Sequence, residues 1–110
     1  MKIISLLEEM SWNHNNEHAD AEAIYVSDTG NVLRWTLLPG QSITPSITPS
    51  SPVYVTVLKG TGYFYKADGS EVVAGEQSLI VFEPGEIHGV RTESEPLVCI
   101  AIMHPHPNSK

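Results

Sequence analysis

The chain carries five histidines, and one of them, His88, follows a Pro-Gly turn in "FEPGEIHG" (residues 82–89). Imidazole exchanges its proton near neutral pH and readily ligates metals, so His88 is a candidate acid, base or ligand. The equally simple reading is a ring that closes a pocket mouth and hydrogen-bonds a neighbour. Glu83 and Glu86 are close to it in sequence, but no motif aims either carboxylate at the ring. His14 and His18 are four apart, a spacing that shares one helix face, although Asn13, Asn15 and Asn16 work against a helix there. His104 and His106 flank Pro105, where further prolines suggest chain exit. Cys99 lies inside the apolar run "LVCIAIM" and reads as a buried strand thiol, not a nucleophile.

The segment "PGQSITPSITPSSP" (39–52) is unusual beside these groups. It holds four prolines, repeats Ser-Ile-Thr-Pro and carries no charge. Hydroxyls between prolines satisfy loop backbone groups, and they also make a mildly polar lining for a pocket. Two units of four residues are far short of a solenoid repeat.

These residues need a scaffold, and the sequence describes one. At 110 residues, 41% hydrophobic and 17% charged, the chain has the composition of a single globular domain. A formal charge of −7 with six scattered basic residues argues against nucleic acid. "MKIISLLEEM" is too short and too interrupted for a signal peptide or a membrane span. With a lone cysteine, these features point to a cytoplasmic protein without membrane partners.

Ser5 with Glu8 forms a capping-box pattern, and Ile3, Leu6, Leu7 and Met10 give a helical stripe, which predicts a short N-terminal helix or arm over residues 1–23. From Ile24 the pattern becomes strand-like. Leu33, Trp35 and Leu37 alternate with Arg34 and Thr36. "VYVTVL", "YFYK", "EVVA", "LIVF" and "LVCIAIM" follow, separated by Gly, Pro and Asp-Gly turns. Seven or eight strands with turn signals every 8–12 residues predict an all-β sandwich or barrel over 24–104, with 105–110 as a tail. Tyr54, Tyr63 and Tyr65 read as outer-face residues, Trp35 as core or pocket wall, and Arg34 and Arg91 as surface residues able to meet a carboxylate.

The order of "LLPG" (37–40), "VLKGTG" (57–62) and "EPGEIHG" (83–89) resembles the two motifs of small single-domain cupins, of the RmlC-like jelly-roll superfamily. The likeness covers roughly residues 30–103. It implies a double-stranded β-helix, and pairing through the N-terminal segment and outer sheet as a homodimer. In the family's first motif a His-x-His pair and a Glu join the second-motif histidine around a metal. At the common spacing these positions are Ser46, Thr48 and Val53, so of the usual ligands only His88 is present. Gly75-Glu76 stands for the family's Gly-Asp but two residues farther from His88, which calls for a bulge or a longer turn. The resemblance therefore implies a cupin without a bound metal or other cofactor, with Ser46, Thr48, Val53 and His88 facing a small-molecule ligand. Two alternatives stay open. One is a metal-dependent enzyme that holds its metal at His88 with displaced ligands such as His14, His18, His104 or His106. The other is a metal-free isomerase or lyase in which His88 is the catalytic acid or base.

Overall fold

A computed structural model describes residues 1–14, 17–48 and 50–104. The predicted tail, with His106, lies outside the described residues, as do Asn15, Asn16 and Pro49. Nine strands form: β1 (Asp20–Val26), β2 (Asn31–Leu37), β3 (Ser42–Ile47), β4 (Val53–Lys59), β5 (Gly62–Tyr65), β6 (Glu71–Ala74), β7 (Leu79–Phe82), β8 (Ile87–Arg91) and β9 (Leu97–Met103). They make two antiparallel sheets, a five-stranded one in the order β1-β2-β9-β4-β7 and a four-stranded one in the order β3-β8-β5-β6. The all-β architecture predicted from the turn spacing, and the jelly roll that the resemblance implies, are thus observed, with β1 starting four residues earlier than the alternation suggested.

Strand alternation builds the core. On β4, Val53, Val55 and Val57 point inward while Tyr54 stays exposed, the two-residue period of a sheet with one face buried. Leu37, Leu97, Cys99 and Ala101 join them from the five-stranded sheet, and Phe64 and Val90 face them from the other. Burial of this thiol pushes the Cys99 pKa up to about 12, so it stays protonated and inert, as its apolar run suggested. Trp35 is core.

The N-terminal segment departs from the helical pattern. Residues 1–19 form no helix among the described residues, only a turn around residues 6–9 with Glu9 at φ 55°. The cause lies on β2. Arg34, 3% exposed, donates to the carbonyl oxygens of Leu6, Glu8 and Glu9 and to the Glu22 carboxylate. The Thr36 hydroxyl donates to the Ser11 carbonyl, and the Gln41 amide to that of Asn13. Carbonyls that a one-turn helix would spend internally are used instead to tie an extended arm to the sheet. A helix this short has a costly nucleus, so the guanidinium prevails. The arm also explains why Arg34 and Thr36 are buried although their parity points them out of the sandwich; a surface position was expected for Arg34. Arg91 is half-buried, pairs with Glu71 and Glu93 and stacks on Tyr63.

Gly60 marks one close approach. It has φ 88°, and a Cβ there would lie 2.1 Å from the Pro96 carbonyl oxygen, so the β4–β5 turn requires glycine. A turn follows Gly75. Ser78 closes it on the Gly75 carbonyl, Gln77 takes φ 71°, and the Glu76 carboxylate accepts from the Gly60 amide.

Candidate functional site

The segment with the Ser-Ile-Thr-Pro repeat is not a loop over its first half. Ser42–Ile47 is β3, an edge strand paired with β8. Its alternation changes phase midway. Ile43 is opposite Val90 and Ser46 opposite His88, so Thr44 and Pro45 together face the single residue Gly89, a β-bulge. Proline has no amide to give a ladder and is tolerated at such a point. Without the extra residue, Pro45 and Ile47 would share the inward face of Ile43; with it, Ser46 and Thr48 do. Gly89 completes the arrangement, since a Cβ there would meet the Tyr65 ring at 2.9 Å and Pro45 Cα at 3.1 Å.

The three polar side chains meet, as the resemblance implies. His88 Nε2 is 3.0 Å from the Thr48 hydroxyl and Nδ1 is 3.4 Å from that of Ser46. Each ring nitrogen thus faces a hydroxyl, which can donate to a bare nitrogen or accept from a protonated one. The His88 residue is 6% exposed, and its ring packs on Phe82 with centroids 5.7 Å apart. Burial lowers its pKa below the ordinary histidine value, because the cation would lose hydration with no carboxylate among its hydrogen-bond partners to compensate. Burial therefore favours the uncharged ring. Glu86 turns elsewhere and accepts from the Glu83 amide.

Val53 is 1% exposed and pairs with Phe82 across the β4–β7 ladder. It places methyl groups where the resemblance puts a carboxylate. The donor set at the four implied metal positions is therefore two neutral hydroxyls, a valine and one imidazole, which does not fit a divalent transition metal. Among the described residues no group of three or more His, Cys, Asp or Glu side chains is placed to hold a metal ion. His14 and His104 are exposed. His18 forms a bridge with Ser42, and its Nδ1 lies 3.4 Å from the Thr44 hydroxyl.

Sequence reasoning missed a second feature. A cavity of about 390 Å³ opens beside the His88 cluster, lined by Phe64, Val72, Ile80, Phe82 and Ile87 among others. Ser46, Thr48, Val53 and His88 are not in its wall. Phe82 belongs to both places, since it lines the cavity and carries the His88 ring. The inward alternation of "GYFY" and "LIVF" held the available signal, but it reads as ordinary core until the two sheets are seen to part there.

The comparisons with known proteins agree with this architecture. A conserved protein with a double-stranded β-helix domain from Klebsiella pneumoniae superposes with a TM-score of 0.88 at 19% identity, over 97% of this chain and 92% of that one. A protein from Thermus thermophilus gives 0.86 at 23% identity over 97% and 100%. An RmlC-like cupin from Desulfovibrio desulfuricans gives 0.80 at 22% identity over 93% and 95%. These identities show the fold alone. No curated protein matches the sequence. The family model for the cupin domain matches residues 33–103, and the chain therefore belongs to the cupin family.

Proposed function

We propose that this cupin binds a small, uncharged molecule through Ser46, Thr48 and His88, and that it does so without a bound metal. The observation that carries this reading is the imidazole with a hydroxyl facing each nitrogen, in the place where the resemblance puts a metal. The two contacts differ in a useful way. Thr48 is close to Nε2, whereas the exposed Ser46 lies at the long limit from Nδ1. A ligand hydroxyl or amide can take over that weaker contact at little cost, and Thr48 keeps the ring oriented. An ion would have to be desolvated against a neutral ring, which disfavours charged ligands.

Acid–base catalysis by His88 is the less supported reading, since its hydrogen-bond partners are hydroxyls and not the carboxylate that would stabilise an imidazolium. The protein is taken to act in the cytoplasm as a homodimer. A lone, buried cysteine and the absence, among the described residues, of any helix long and apolar enough to cross a membrane accord with that. The experiment is an NMR titration of the His88 ring signals with benzyl alcohol, cyclohexanol and benzamide. Saturable shifts that vanish in His88→Ala are expected. No movement of the ring with any of the three would overturn the proposal.

A further inference from the structure

The cavity beside Phe82 is formed by the topology, not by a gap in packing. β6 and β7 are each the last strand of their sheet, and no ladder joins them. The sandwich is therefore open along this side. Phe64 and Val72 are opposite one another on β5 and β6 and form one wall. Ile80 and Phe82 form the facing wall from β7. The two phenylalanine rings are 6.3 Å apart and tilted by 46°, a geometry that leaves faces and edges for a third ring to complete. Val72 lines the cavity yet is 48% exposed, so apolar surface meets water at its mouth. Covering that surface is favourable by about 25 cal/mol for each Å² buried.

The rim is charged, and unevenly so. It holds one ammonium, Lys66, against two carboxylates, Asp68 and Glu86. Asp68 is fixed by the amide and hydroxyl of Ser70, and the whole chain carries −7. A ligand with a carboxylate head would meet this rim with the wrong sign; an ammonium head would meet the right one.

We infer that the Phe64–Phe82 cavity is a separate binding site for a small arylalkylamine, its ring packed against the exposed side of the phenylalanine pair and its ammonium at the Glu86 rim. The site is distinct from the one at His88, since none of Ser46, Thr48 or His88 contributes to its wall, although Phe82 borders both.

Three probes with similar aromatic bodies test it: phenethylamine, phenethyl alcohol and phenylacetate, each titrated into the isotope-labelled protein. Saturable amide shifts are expected at Phe64, Val72, Ile80 and Phe82, with the amine binding at least about fivefold more tightly than phenylacetate, the size of one exposed ion pair. Glu86→Gln, an exposed change that leaves the core intact, should bring the amine down to the alcohol. Val72→Trp should fill the mouth and abolish binding of all three probes. Shifts confined to Ser46, Thr48 and His88 would overturn this inference while leaving the other site standing. Phenylacetate binding as tightly as the amine, or an unchanged preference in Glu86→Gln, would overturn it too.

Discussion

Ser46 stands directly opposite His88 across the β3–β8 ladder, although the two are 42 positions apart in sequence. One extra residue in β3 produces this pairing. The bulge at Thr44–Pro45 turns Ser46 and Thr48 inward together, and so gives His88 a hydroxyl on each side of its ring. A change that removes the bulge would exchange this polar pair for Pro45 and Ile47.

The two hydroxyls should not contribute equally to stability. Thr48→Val removes the closer partner and leaves a buried ring nitrogen without a hydrogen bond, at a cost of about 1–2 kcal/mol. Ser46→Ala removes a long contact at an exposed residue and should cost less than about 0.5 kcal/mol. Urea denaturation of both variants measures the difference, and equal losses would contradict the assigned geometry.

Because burial lowers the His88 pKa, the unfolded chain takes up this proton at about pH 6.5 and the folded chain only at lower pH. Between those two values the unfolded state binds more protons, so stability rises with pH. It falls as pH drops below about 6.5, and the loss is complete below the folded pKa. His88→Gln should flatten that part of the pH–stability curve. An NMR titration midpoint for His88 at or above about 6.5, the ordinary histidine value, would contradict the burial argument.

Much of this was legible in the sequence because turn residues and alternation act locally. Asp68-Gly69, Pro84-Gly85 and the valines of β4 each dictate their own conformation, and together they define the jelly roll. That Ser46 and Thr48 share a face followed from the two-residue period of an extended chain, and that this face turns inward came from the cupin resemblance. What failed to show was set by distant partners. Ser5 and Glu8 signal a helix locally, but the Arg34 guanidinium claims the carbonyls. Arg34 itself looks like a surface residue until an arm 25–28 positions away is laid across it. β3 was hidden because a segment with prolines reads as a loop unless the bulge and its partner Gly89 are known.

Arg34 should be the main attachment of the arm. Arg34→Ala removes the four hydrogen bonds that the buried guanidinium makes, three to arm carbonyls and one to Glu22, and should cost about 3 kcal/mol. Arg34→Lys should recover little, since a single ammonium cannot reproduce the planar fork. Limited proteolysis should then cut within residues 1–14 faster than in the parent. Equal cleavage rates would show that the arm is held by other means.

The outer face of the five-stranded sheet carries a cross-strand row, Tyr25, Val32, Ile102, Tyr54 and Val81. All but Val32 of these are exposed by roughly two-fifths or more, an apolar stripe that a homodimer would cover. Sedimentation at micromolar concentration should give a dimer, and Tyr54→Lys with Ile102→Lys should give a folded monomer. A monomeric parent protein would contradict this pairing.

The central claim is that hydroxyls and one imidazole have replaced the metal centre. The most direct measurement is the transition-metal content of protein purified without chelator, by plasma mass spectrometry after dialysis. The account predicts well under one equivalent of iron, zinc, manganese or nickel per chain. A stoichiometric metal that is lost in His88→Ala would contradict it.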